Sequence, residues 1–262
     1  MTIIAYICSV LMGSTLGLIG GGGSILTVPI LVYMLDINPV TATGYSLFVV
    51  GITALVGSVS YFRKGLVDVK TGLIFALPSF LGVYLVRRFG IPALPNEIAE
   101  IGGYILTKDT FIMLIFGLVM LGTAYSMIRK SKTEPGENSD GHNFPLIALE
   151  GLVVGGVTGL VGAGGGFLIV PALVMFAGLP MKQAVGTSLM IIAIKSLFGF
   201  SGDIQSGNII DWQLLLTVTG LAILGIMIGG RLSHHIPAKA LKPAFGAFVF
   251  MMGSVILGLE LA

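Results

Sequence analysis

The sequence predicts an all-α integral membrane protein, built as two inverted-topology repeats of five hydrophobic segments each, with short broken or re-entrant helices at glycine-rich tracts. Three observations carry that expectation. Of the 262 residues, 55% are hydrophobic and only 10% are charged, with a mean hydropathy of +1.01. A soluble domain has about 25% charged residues, so this chain lacks the charge to cover a water-facing surface. The chain also aligns with itself at an offset of 142 residues, Gly17 falling on Gly159. Finally, the charges change sign between equivalent loops of the two copies.

Ten apolar segments can be traced in order. The first half holds Ile3–Ile19, Ile25–Leu35, Val40–Phe62, Val69–Val86 and Phe111–Ile128. The second holds Phe144–Val161, Phe167–Ala177, Met181–Phe200, Trp212–Gly230 and Leu241–Leu261. A full crossing takes about 20 residues, so the second segment of each half is too short to span unless it borrows flanking residues. The polar stretch Ser131–Asn143 reads as a linker, which divides the chain into a first repeat at 1–130, a linker at 131–143 and a second repeat at 144–262. Met1-Thr2-Ile3-Ile4 lacks the positive region of a secretory signal and reads as part of the first membrane segment.

The duplication runs through both copies. Gly20-Gly21-Gly22-Gly23-Ser24 returns as Gly162-Ala163-Gly164-Gly165-Gly166, Pro29 falls on Pro171, and Gly44-Tyr45-Ser46-Leu47 falls on Gly186-Thr187-Ser188-Leu189. One added residue then brings Arg88 onto Arg231. Basic residues favour cytoplasmic loops. The loop between the third and fourth segments carries Arg63 and Lys64 in the first half and Asp203 and Asp211 in the second, and the loop before the third segment holds Asp36 in the first half and Lys182 in the second. This swap is what an inverted repeat requires. With Arg129, Lys130 and Lys132 in the linker, it places both termini outside and the linker in the cytoplasm. Arg87 and Arg88 break the pattern on the outer side, diluted by Glu97, Glu100 and Asp109. Charge alone cannot say whether segments one and two cross twice or dip in and return, because both leave the chain on the same face.

A run of glycines ends a helix, since each costs about 1 kcal/mol relative to alanine in a helix interior. In a bilayer the freed backbone groups must bond to protein, water or ligand. Two readings stay open for the tract. It is a site in which Gly20, Gly21, Gly22, Gly23 and Ser24, with Gly162, Gly164, Gly165 and Gly166, aim helix N-termini at an anion. Otherwise it is a close-packing joint, like the ridge Gly151, Gly155 and Gly159 beside it. Ser46, Thr187 and Ser188 sit early in the following segments, where a hydroxyl either donates to an oxyanion or bonds back to its own helix. Lys195 is the basic residue deepest in an apolar segment, with Thr53 as its counterpart. It faces either a cavity with an anion or the interface by snorkelling. Arg88 and Arg231 read as solvated anchors, His234 and His235 as surface residues, and Asp203 as a loop-end aspartate that caps or solvates, with ion coupling as its alternative.

The absences narrow the function. No P-loop, dinucleotide fingerprint, H-E-x-x-H or C-x-x-C occurs, so no catalytic residue, metal or cofactor is expected and the chain does not read as an enzyme. The single cysteine, Cys8, excludes an internal disulfide. A net charge of +2 with interspersed signs gives no sign of nucleic-acid binding.

The pattern Gly-Leu-(Ile/Val)-Gly-x-Gly-Gly-(Ser/Gly)-x-Leu-x-Val-Pro, followed by Gly-(Tyr/Thr)-Ser-Leu and duplicated, resembles the sulfite exporter TauE/SafE family, also called the 4-toluene sulfonate uptake permeases. The resemblance covers about Ile4 to Gly258. It implies secondary transport of a small sulfur-containing anion such as sulfite, thiosulfate, sulfate or sulfoacetate, across a bacterial or archaeal inner membrane, with H⁺ or Na⁺ as a plausible coupling ion. Half one departs at Tyr45, which implies shielding or gating there in place of binding. A passive anion channel and a non-transporting assembly protein are the alternatives.

Overall fold

The computed structural model describes residues 2–101, 104–128, 144–162, 164–175, 177–205, 210–232 and 238–261. The expected linker at 131–143, with Arg129 and Lys130 before it, and His234 and His235 lie outside the described residues.

Ten helical elements follow the ten apolar segments. In the first half they are α1 (Thr2–Ile19), α2 (Gly22–Met34), α3 (Pro39–Arg63), α4 (Val69–Ala93) and α5 (Lys108–Ile128). In the second they are α6 (Phe144–Val161), α7 (Gly166–Met175), α8 (Met181–Gln205), α9 (Trp212–Leu232) and α10 (Ala238–Leu261). Among the described residues, five helices are long and apolar enough to cross a membrane: α3, α4, α5, α8 and α9. Large apolar side chains such as Leu11, Leu77, Leu118, Leu216 and Phe250 are exposed, while Ser24, Ser46, Thr53, Thr187, Ser188 and Lys195 are fully buried. Apolar groups outside and small or polar groups inside are what a lipid-facing surface requires. The protein is an integral, multi-pass membrane protein.

One element was not expected. A two-stranded antiparallel hairpin, β1 (Glu97–Ile101) and β2 (Tyr104–Thr107), follows α4. Its signal was present in the sequence, as alternating Glu97-Ile98-Ala99-Glu100-Ile101 runs into Gly102-Gly103.

The duplication recurs in geometry. The bounds of α1 and α6, and of α3 and α8, differ by the same 142 residues, and each pair matches in length, 18 and 25 residues. Gly20 and Gly162 end α1 and α6 with φ of 75° and 73°, and each N–H closes a 2.8 Å bond to the carbonyl four residues back. A side chain there would be strained, so glycine ends both helices. Asp68 and Asp211 cap α4 and α9 alike, each carboxylate accepting from the N–H three residues on at 3.0 Å.

Contacts between halves exchange in the same way. Gly13 backs onto Ala222 and Gly17 onto Ile226; in the mirrored pair of helices Gly155 backs onto Ser79 and Gly159 onto Val83. So α1 lies parallel to α9, and α6 to α4. Between equivalent helices the direction reverses. Gly44 meets Asp203, Leu47 meets Gly199 and Gly51 meets Leu197, so α3 and α8 run antiparallel. After Gly21 the chain folds back along α1, with Gly23 against Met12 and Leu16. The glycine tract is thus the tip of an out-and-back excursion.

Candidate functional site

The two tips meet. A Cβ added to Gly166 would lie 2.2 Å from the Gly21 Cα, and one added to Gly21 would lie 2.4 Å from the Gly166 Cα. No side chain fits there. Gly164 approaches Ser24 and Val50, and Gly20 packs on Val185 as Gly162 packs on Thr43. Gly20 to Ser24 are all buried, as are Gly162, Gly164, Gly165 and Gly166. The two tracts are therefore brought to one junction, in backbone contact at Gly21 and Gly166.

The hydroxyls divide by role. Ser24 Oγ donates to the Gly21 carbonyl at 2.6 Å, closing its own turn. Ser188 Oγ contacts the Gly20 carbonyl and lies 2.8 Å from the Val185 carbonyl, which ties α8 to the first tip. Ser46, its counterpart, is buried with no partner among the described residues. Thr187 Oγ1 accepts from the Asp68 N–H at 2.9 Å. Its counterpart Tyr45 accepts from the Asp211 N–H at 2.6 Å. The two chemically different residues do the same thing: each pins the N-cap of a helix in the opposite half. Tyr45 thereby matches Thr187 in a structural task, whatever else either residue does.

Lys195 is fully buried in α8. Its Nζ donates to Thr158 Oγ1 at 2.9 Å, and Thr158 Oγ1 in turn donates to the Gly155 carbonyl at 3.1 Å. The ammonium lies 2.8 Å from where a Cβ on Gly165 would sit, so it reaches the second tip directly. Among the described residues no carboxylate pairs with it. A buried cation without a counter-ion is costly, and in a membrane it marks a pathway or an anion site. Thr158 was missed in the sequence. A position-by-position comparison would have found it, because Thr158 replaces Leu16 as Lys195 replaces Thr53.

Asp203 and Arg87 correct two expectations. α8 continues to Gln205, so Asp203 is a buried helical residue and not a loop end. Its Oδ1 accepts from Arg87 Nη1 at 3.3 Å, and that guanidinium is fully buried. Pairing removes the charge that would have ended the membrane segment near Phe200. Arg87, counted as an outer-loop charge, lies inside the span of α4.

Comparison with known proteins gives the class. The family model for the sulfite exporter TauE/SafE matches residues 5–256. The chain belongs to that family. A probable membrane transporter protein of Xylella fastidiosa strain 9a5c is 30% identical, with 98% of this chain and 97% of the relative covered. The probable membrane transporter protein YunE of Bacillus subtilis strain 168 is 27% identical, over 97% of each chain. A probable membrane transporter protein of Haemophilus influenzae is 26% identical, over 95% of this chain and 96% of its own. No solved structure matches. Membership of the TauE/SafE family makes this a membrane transporter.

Proposed function

We propose that the protein is a secondary transporter for a small sulfur-containing anion such as sulfite, thiosulfate, sulfate or sulfoacetate, working by alternating access around a midplane site between two inverted repeats. The observation that carries this reading is Lys195, buried beside Gly165 and Thr158 with no carboxylate paired to it among the described residues. An anion supplies the missing countercharge, Thr158 holds the ammonium in place, and the glycine tips allow close approach. Backbone N–H groups of both tracts, with Ser24, Ser46, Thr187 and Ser188, stand as further contacts once the tips part. The antiparallel run of α3 against α8 supports the inversion, and the exchanged contacts of α1 with α9 and α6 with α4 support rocking of one half against the other. The charge pattern supports a cytoplasmic linker and outer termini. H⁺ or Na⁺ is the proposed coupling ion.

Purified protein in liposomes should accumulate radiolabelled sulfite, thiosulfate or sulfate against a gradient with saturating kinetics. Non-saturating flux that only dissipates gradients would mean a passive channel. Lys195→Met should lower that flux about 100-fold or more while the protein stays monodisperse, because replacing a buried unpaired charge by an apolar chain of similar volume leaves folding intact or improves it. Normal flux in Lys195→Met would remove the site.

A further inference from the structure

The repeat presents one place twice, and the two copies differ. In one copy a cleft of about 520 Å³ opens between α3 and α9, lined among others by Ser60, Tyr61, Arg63, Met227, Gly230 and Arg231. Shifted by the repeat, those six positions become Gly202, Asp203, Gln205, Tyr84, Arg87 and Arg88. There the equivalent side chains bond to one another, whereas the first copy keeps its cleft beside a Tyr61 hydroxyl that donates to the Gly17 carbonyl at 3.2 Å. Arg87 pairs with Asp203 at 3.3 Å, the Tyr84 hydroxyl donates to Gln205 Oε1 at 2.8 Å, and Arg88 Nη1 donates to the Gln205 carbonyl at 3.4 Å. Glycine stands opposite Arg87 in the open copy, and the open copy carries a basic rim of Arg63 and Arg231. One end of the molecule is latched and the other is open.

The latch is incompletely bonded. Arg87 is fully buried, yet Nε and Nη2 have no partner among the described residues, and neither has Asp203 Oδ2. A guanidinium carries five N–H donors in a fixed fork that matches two oxygens at once, while this carboxylate meets it through a single long bond. We propose that Arg87 is a second anion-coordinating residue and Asp203 its exchangeable partner. A small oxyanion such as a sulfate or sulfonate group takes the place of Asp203 on the fork, and the latch parts as the opposite cleft closes. In the absence of the anion, Asp203 keeps the guanidinium neutralised within the membrane. This inference rests on the transport reading, and it adds where the path is closed and what opens it.

Cysteine labelling tests it in a Cys8→Ala background, with Val59→Cys as reporter in the cleft and Ser201→Cys as its repeat equivalent at the latch. A membrane-impermeant maleimide is applied to right-side-out and inverted vesicles. The parent should label rapidly at position 59 from one face and slowly at position 201 from the other. Asp203→Asn or Arg87→Gln should raise labelling at 201 about five-fold and slow it at 59. Sulfate, which does not consume maleimide, should raise labelling at 201 in the parent and leave the Arg87→Gln variant unmoved. Unchanged labelling at 201 in both variants, or a sulfate effect that persists without Arg87, overturns the proposal. If neither variant folds, Tyr84→Phe, which leaves the ion pair in place, must raise labelling at 201; no rise counts against the latch. Anion flux in the same vesicles separates the two ideas. Flux with unmoved labelling removes the latch and keeps transport, whereas shifted labelling without flux does the reverse.

Discussion

The first glycine tip and the second share a backbone and differ in chemistry. Both end a helix with glycine at φ near 74°, both pack on the fifth residue of the third helix of the other half, and both fold back along the helix they end. At the first tip Ser24 is spent on the Gly21 carbonyl and Ser188 on that of Gly20. Beside the second stand Lys195 and Thr158, where the first half has Thr53 and Leu16. Thr53 simply bonds its own helix at Val49, 2.6 Å away. Duplication fixed a scaffold that needs two equal tips to meet. The charge stands on one side only, as Lys195 beside the second tip, and under the transport proposal that single lysine is the countercharge for an anion between both tips.

The largest expected effect breaks what the tips share. Gly166→Leu drives a side chain into the Gly21 backbone, which cannot yield as a flexible side chain could. Overpacking of this kind costs about 3 kcal/mol or more. The variant should lose its melting transition in detergent, and Gly21→Leu should behave the same. A folded Gly166→Leu protein with normal melting would show that the tips are not packed as described.

A smaller effect tests what they do not share. Thr158→Val deprives Lys195 of its only hydrogen-bond partner among the described residues, at a cost of about 1–3 kcal/mol, and should lower anion flux; Thr158→Ser should restore both. Thr53→Val removes a bond to a helix carbonyl already bonded within the helix, so it should cost about 1 kcal/mol or less and leave flux unchanged. Equal flux defects in Thr158→Val and Thr53→Val would show that the polar asymmetry carries no function.

Much of this was legible in the sequence because bilayer physics leaves few options. Apolar length, glycine tracts and loop charge gave the ten segments, the duplication and the folded-back tips. What was missed has a common cause. Asp203 and Arg87 read as loop charges because composition counts each ionised group alone, and only the packing of α4 on α8 cancels them. Thr187 and Tyr45 read as a binding group and a departure from it, yet their shared partner, the N-cap of the opposite half, lies 119 and 166 residues away in the chain. Thr158 was hidden in a glycine ridge, where a small polar residue is unremarkable until a lysine from another helix reaches it.

The smallest effect separates packing glycines from incidental ones within a single helix. Gly155 and Gly156 are neighbours in α6. A Cβ on Gly155 would lie 2.2 Å from the Ser79 carbonyl oxygen, in the parallel contact of α6 with α4, whereas one on Gly156 would meet nothing within 4 Å. Their repeat equivalents, Gly13 and Ser14, already differ in the same sense, since the second position tolerates a side chain. Gly156→Ala should therefore leave melting unchanged or raise stability by up to about 1 kcal/mol through helix propensity alone. Gly155→Ala should push α6 off α4 and lower the melting temperature, because the obstructing atom is backbone. If the two alanine variants melt together, the small-residue ridge is not what sets the spacing of the halves, and the exchanged contacts would have to be held by the polar links from Thr187 and Tyr45 instead.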